Sequence, residues 1–461
     1  MAEITQNKEL LIEALKKAVG ERKVITEPSQ MHTYSRDCTS DEEQVPDAVL
    51  LPSSAEEVSE IVKICNKTHT PVTVRGGGTG VSKGSLSYRG GIVLSTEKLN
   101  RIIEINTIDR LAVVECGVTT AHFQEALSEH RLCFPQNISS AASCTIGGNI
   151  AVSSGSPKSL KYGPTRNYLL NMEVVLPDGE IIWTGKNISK NATGYNLTQL
   201  IAGSEGSLGI ITKVVLQLVS PVQEILIMVP FADINRLFEC VHCFFKEGHS
   251  ASSIEFIDKT GYELVSKFLD KKIQTAKPID GVLWMEFEGK DRDALLEEVM
   301  QLGEMIARYT SEEIFVAQTA PEIKDLWLMR SRLGEAVINH TFFKDVDVVV
   351  PRSKIHKMYE VLAGVTARYS LKYTALGHIG NGNFHINIFQ ESNYSKEHWE
   401  VNIHKSVAEI FSKAVELGGT LSGEHGIGKA HLPFLPLVFS EYQLQLMNRI
   451  KTVFDKNNIL N

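Results

Sequence analysis

Pro71-Val-Thr-Val-Arg-Gly-Gly-Gly-Thr-Gly80 reads as a short β-branched strand that runs straight into a glycine-rich loop. Glycines placed after a strand let backbone N–H groups turn inward and hold phosphate oxygens. The dinucleotide fingerprint G-x-G-x-x-G is not met. Counting from Gly78 and Gly80, the third position is Lys83, and another strand follows where a helix should open. Two further glycine-rich stretches lie in the same half of the chain: Thr145-Ile-Gly-Gly-Asn149 with Ser154-Gly155, and Gly203-Ser-Glu-Gly-Ser-Leu-Gly209. Any one of them would serve as a turn between strands. Three in one β-rich domain point to a large phosphate-bearing cofactor.

The surrounding pattern supports that domain. An apolar run covers 48–51, and Ser54-Ala-Glu-Glu57 reads as a capping box. Val58, Ile61, Val62 and Cys65 then recur at helical spacing. Strands are expected near 92–94, 102–105 and 111–115, and a helix over 119–128. Pro177-Asp178-Gly179 between apolar runs signals a hairpin, and 209–219 is a strand rich in Ile and Val. After Ser220-Pro221 the texture changes. Strands at 225–229, 253–257 and 282–287 alternate with amphipathic helices, followed by helices near 292–308 and 321–339 and a strand at 346–350. This is an α+β pattern. Beyond residue 421 the chain is glycine-rich again, and it ends in a helix near 441–454.

Composition narrows the function. The 461 residues are 43% hydrophobic and 22% charged, with a formal net charge of −8. No Lys/Arg block forms a basic stripe, so nucleic acid is not an expected partner. No stretch approaches the roughly 20 apolar residues of a membrane span. Glu3, Glu9 and Glu13 argue against a secretory or transit peptide, so a cytoplasmic location is expected, compatible with peripheral association at the inner membrane face. The seven cysteines are irregularly spaced, which speaks against a disulfide framework. Cys240-Val-His-Cys243 lies inside an apolar helical pattern and reads as packing.

The chemistry gathers in the last hundred residues. In Gly377-His-Ile-Gly-Asn-Gly-Asn-Phe-His-Ile-Asn-Ile388, Phe384, Ile386 and Ile388 alternate with His385 and Asn387. A strand would put those two polar residues on the face opposite the packed one, with His378 across a tight turn. Leu421-Ser-Gly-Glu-His-Gly-Ile-Gly428 follows. Two histidines and a glutamate form a sensible set for Zn²⁺, Mn²⁺ or Fe²⁺. His425, beside Glu424, is a candidate base. Gly423–Ala430 also fits G-x-x-x-x-G-K but ends in alanine, where a P-loop needs Ser or Thr, so a nucleotide hydrolase is disfavoured.

These strings together resemble the FAD-linked oxidases of the vanillyl-alcohol oxidase / p-cresol methylhydroxylase fold. The resemblance is carried by VRGGGTG, GGIVLST, TIGGNI, KYG-T at Lys161–Thr165, VVLPDGE and GSEGSLGIIT. It implies an α+β architecture: an FAD-binding domain of the p-cresol methylhydroxylase type over 1–221, an α+β cap or substrate domain over 222–420, and a C-terminal helical segment, 421–461, returning to the flavin. It implies that Arg75, Gly76, Gly77, Gly78, Thr79, Gly80 and Ser82 hold the FAD pyrophosphate. Thr145, Gly147, Gly148, Asn149, Ser154, Gly155, Glu205 and Ile211 would line the flavin or its adenosine half. Some relatives attach FAD through a histidine in the first loop; Thr79 stands in that loop here, so non-covalent FAD is expected.

GHIGNGNFHINI and SGEHGIG are similar to the motifs of the D-lactate, glycolate and D-2-hydroxyglutarate dehydrogenase branch. That similarity implies His378, His385 and Glu424 as metal ligands, Asn387 at the substrate and His425 as the base. In Asp325-Leu-Trp-Leu-Met-Arg-Ser-Arg332 it places the carboxylate-binding cation at Arg330, which can fork onto two oxygens. Gly334, and the placing of Lys344 and Asp345, depart from the hydroxyglutarate pattern and favour a small monocarboxylate. The implied reaction passes hydride from a 2-hydroxy acid, D-lactate or glycolate first, to flavin N5. Electrons would leave to an external acceptor: an iron–sulfur subunit, an electron-transfer flavoprotein or a quinone. An oxidase of another alcohol or sugar, or a silent flavin subunit of a larger complex, are the alternatives, and a homodimer is left open.

Overall fold

The computed structural model describes residues 2–39, 43–392 and 394–461, with side chains from residue 8 onward. The chain forms two compact units. The first comprises Met1–Gly155, Pro164–Pro221 and Glu424–Asn461; the second comprises Ser156–Gly163 and Val222–Gly423.

The first unit contains two sheets. In one, strands Val24–Ile25, Ala48–Leu50, Ile92–Ser95 and Val72–Arg75 lie side by side in that order, the last three mutually parallel. All three residues of Ala48–Leu50 and all four of Ile92–Ser95 are buried, as expected of parallel strands covered on both faces. The other sheet is antiparallel, in the order Ile102–Asn106, Leu111–Glu115, Ile210–Gln217, Leu169–Val175, Ile181–Trp183. The Pro177-Asp-Gly hairpin forms, with Val175 opposite Ile181.

Helix Ala55–Thr68 starts where Ser54 predicts, with Ser54 Oγ accepting the Glu57 N–H at 3.3 Å. The reciprocal half of the capping box shifts by one residue. Glu57 Oε2 takes the N–H of Ser53 at 2.8 Å, and its other oxygen takes Lys23, a partner from a distant strand end that sequence spacing cannot reveal. Thr145-Ile-Gly-Gly-Asn149, read as a glycine-rich stretch, opens helix Ile146–Val152, capped by Thr145.

The second unit is built on a seven-stranded sheet, antiparallel throughout. Its order is Phe315–Ala317, Gln223–Phe231, Gly281–Gly289, Ser253–Asp258, Lys372–Gly377, Asn383–Phe389, Phe343–Val349. Helices Lys259–Leu269 and Ala320–His340 pack on one face through Val265, Met329, Leu333, Ala336 and Val337, over Ile257, Val282, Trp284 and Phe389. Helix Ile234–Lys246 lies on the other face, where Phe238 meets Phe256 and Phe256 meets Phe384. Cys240 is buried in that helix, and burial pushes its thiol up to about 12, which suits packing rather than redox chemistry. Segment Ser156–Gly163 belongs to this unit because Lys158, largely buried, is bonded to Glu224, to Glu286 at 3.1 Å and to Glu288 at 2.7 Å. Among the described residues no helix is long and apolar enough to cross a membrane.

Candidate active site

In the first unit the functional surface is made of backbone. The loop after Val72–Arg75 is pressed against residues 143–148. A Cβ on Gly76 would stand 2.5 Å from Thr145 Oγ1, and one on Gly77 would stand 2.0 Å from the Ser143 carbonyl oxygen. A side chain at Gly77 is therefore excluded. At Gly80 the corresponding direction is open space. One side of the loop is thus closed by protein while the other stands clear, the form expected of a phosphate cradle.

Arg75 lies beneath this loop. Its guanidinium donates to the Thr33 carbonyl at 3.0 Å and to Ser85 Oγ at 3.3 Å, which commits it to shaping the loop from below. Thr145 spends its hydroxyl oxygen on the Gly148 N–H, and Asn149 donates to Thr120 Oγ1 at 2.8 Å. Gly147 is packed against Cys116, Ile211 is buried, and Ser154 is bonded to Thr165. Glu424 lies beside Gly155, where a Cβ would come 2.4 Å from Glu424 Oε2. His425 is held by its carbonyl, which accepts from Ser82 Oγ at 2.9 Å.

In the second unit the site is made of side chains, and strand register aligns them. Asp345 stands opposite Asn387 and Asp347 opposite His385, while Ile257 opposite Leu376 brings Glu255 level with His378. Residues directly opposite share a face in an antiparallel sheet. His385 and Asn387 therefore sit on the face that carries helix Ala320–His340, and that face is buried too, contrary to the expectation of one packed and one open side.

The rings of His378 and His385 meet edge-on with centroids 5.2 Å apart. His378 Nδ1 is 2.6 Å from Glu255 Oε1. The other oxygen of Glu255 takes Arg330, at 3.0 Å from Nε and 2.7 Å from Nη2. Burial alone would raise the Glu255 carboxyl, but His378 and Arg330 outweigh it and hold the group below the usual carboxylate range. An ionised Glu255 accepts, so Nδ1 of His378 carries the hydrogen, and Nε2 is the nitrogen through which the neutral ring would bind a metal.

Asn387 donates to Asp345 at 2.9 Å. Asp347 accepts from Asn383 at 2.6 Å, from Ser422 Oγ at 2.9 Å and from the Gly423 N–H at 2.8 Å, fixing the chain just before Glu424. The holding roles of Glu255, Asp345 and Asp347 lie outside what the motifs predict. Their signal was a carboxylate standing in an apolar strand run, in Ser253-Ile-Glu-Phe-Ile-Asp258 and Asp345-Val-Asp-Val-Val-Val350. A charge there needs a partner.

Residues 220–461 match the model of the FAD linked oxidases, C-terminal domain, and residues 46–185 match an FAD binding domain. The chain belongs to the family of FAD-linked oxidases. It is 32% identical over 427 residues to a D-lactate dehydrogenase of Anaerostipes hadrus, covering 90% of this chain and 88% of that one. It is 34% identical over 438 residues to the glycolate oxidase subunit GlcD of Bacillus subtilis, covering 93% and 90%. Its fold is that of p-cresol methylhydroxylase solved with substrate bound, with a TM-score of 0.79, 18% identity, and coverage of 98% of this chain and 96% of that one. As a member of this family the chain is an FAD-dependent oxidoreductase, and the glycine cradle at 75–80 fits the cofactor's phosphates.

Proposed function

We propose that this protein is an FAD-dependent dehydrogenase of a small 2-hydroxy acid, D-lactate or glycolate first, acting with a divalent metal. The observation that carries this reading is the buried Glu255, fully enclosed between His378 and Arg330. A carboxylate that fixes a histidine ring and a guanidinium together is an outer partner suited to a metal ligand and an anion receptor.

Two imidazoles and a carboxylate, His378, His385 and Glu424, are the proposed ligands, a set that suits Zn²⁺, Mn²⁺ or Fe²⁺. Arg330 holds the substrate carboxylate, since Glu255 takes only its Nε and Nη2 side. Asn387, oriented by Asp345, hydrogen-bonds the substrate. His425 takes the hydroxyl proton as C2 is oxidised to the 2-oxo acid. Bound FAD supplies the hydride acceptor, and the metal supplies polarisation of the hydroxyl oxygen. FAD is held non-covalently, with Thr79 where an attaching histidine would stand. The electrons pass to an external acceptor.

The His425→Ala protein is expected to retain its flavin absorbance while its anaerobic reduction by substrate slows about 10²–10⁴-fold, the usual range for loss of a general base. Flavin reduction at the wild-type rate would overturn the assignment of His425.

A further inference from the structure

The turn that carries Glu424 and His425 is gripped by two residues expected at the cofactor. Glu205 directs both carboxylate oxygens onto consecutive amides of the turn. Oε1 accepts the Ile427 N–H and Oε2 the Gly428 N–H, each at 2.8 Å. Ser82 closes from the other side. Its hydroxyl donates to the His425 carbonyl at 2.9 Å, and its own carbonyl accepts the Ala430 N–H at 3.1 Å.

The fit leaves no slack. Gly428 has φ +47, and a Cβ there would stand 2.0 Å from the Ser82 carbonyl oxygen, so only glycine lets the two backbones come this close. Glu205 is itself fixed at both backbone groups: its N–H is bonded to the Ala151 carbonyl at 2.8 Å, and its carbonyl accepts from Asn461 Nδ2 at 2.6 Å. It also holds a left-handed conformation at φ +54 although it is not glycine, a strain that persists only where surrounding bonds impose it. A carboxylate with both oxygens engaged by the 425–430 turn is built to hold that turn.

We propose that Glu205 and Ser82 are positioning residues for His425, clamping its turn and tying it, through Ser82, to the glycine loop at 75–80. The proposal rests on His425 being the base. Glu205→Gln replaces one acceptor with an NH2 that faces an amide donor, and Ser82→Ala removes the hydroxyl that holds the His425 carbonyl.

The test measures three properties of each purified holoprotein: flavin content from the visible spectrum, hydrogen exchange of the 423–430 backbone, and kcat and KM for the 2-hydroxy acid that reduces the wild type. The expected result is full flavin content, faster exchange in 423–430, and kcat lower by about 10–100-fold with KM unchanged, the loss seen when a hydrogen bond that orients a site residue is removed. Loss of flavin with wild-type exchange would make Glu205 a cofactor ligand and overturn the proposal, as would wild-type exchange and kcat together. Should Glu205→Gln not fold, Ser82→Ala carries the test alone. His425→Ala separates the two readings: normal turnover there removes His425 as the base, while exchange in the Glu205 and Ser82 variants still decides whether the clamp exists.

Discussion

The candidate functional residues of the two units are arranged by opposite means. In the first unit the glycine loop offers bare backbone, shaped by contacts closer than any side chain would permit. In the second unit the candidate groups are polar and charged side chains held by carboxylates: His378 and Arg330 by the buried Glu255, Asn387 by the half-buried Asp345. Backbone cradles are specified sterically, by the absence of Cβ atoms. The charged half is specified electrostatically, by compensation inside a buried sheet face. The two should therefore fail differently when altered.

The largest effect is expected at Arg330. Arg330→Met leaves the fully buried Glu255 without its guanidinium partner, hydrogen-bonded to His378 alone, and breaking a buried pair in this way costs about 3–5 kcal/mol. Thermal unfolding should show that loss, together with a steep rise in KM for the hydroxy acid. A stable variant with unchanged KM would mean that the charged half does not bind the substrate. Glu255→Gln should be milder in stability but should lower metal affinity or activity by about 10–100-fold, with flavin content unchanged. Metal analysis beside the visible spectrum checks it, and loss of flavin instead would erase the distinction between the halves.

Gly77→Ala strikes the backbone loop of the first unit. It forces a methyl to within 2.0 Å of the Ser143 carbonyl, an overpacking worth about 1–3 kcal/mol, and should empty the protein of flavin while metal content holds. The smallest effect concerns pH. Burial lifts Asp258 from 3.8 to about 6, against the opposing pull of the Gly261 N–H, the Thr374 hydroxyl and the Ala375 N–H. Between those values the folded protein binds more protons than the unfolded chain, so this group makes stability fall as pH rises through the window. Melting curves from pH 4 to 7 should show a slope that Asp258→Asn flattens.

The same contrast explains what could be read from the sequence. The strand and glycine loop at 71–80, the 177–179 hairpin and the strand at 383–389 obey local rules and form as expected, although the last is buried on both faces. His378 and His385 could be paired because a short turn separates them. Glu255 could not be joined to them. It lies 123 residues from His378 and 75 from Arg330, and only sheet order brings the three together. The bonds of Glu205 to Ile427 and Gly428 span more than 220 residues and were equally hidden. Local periodicity carries the backbone half; long-range charge compensation carries the other and leaves only a lone acid in an apolar strand as its trace.

Oxidation of a 2-hydroxy acid by the bound flavin is read directly from the visible spectrum of the purified protein, kept anaerobic, as D-lactate, L-lactate, glycolate and 2-hydroxyglutarate are added singly. The flavin bands are expected to bleach with a small 2-hydroxy acid, D-lactate or glycolate first, and a metal chelator is expected to prevent the bleaching. A flavin that stays oxidised with every one of these acids, in protein shown to contain both FAD and metal, would contradict the proposed function.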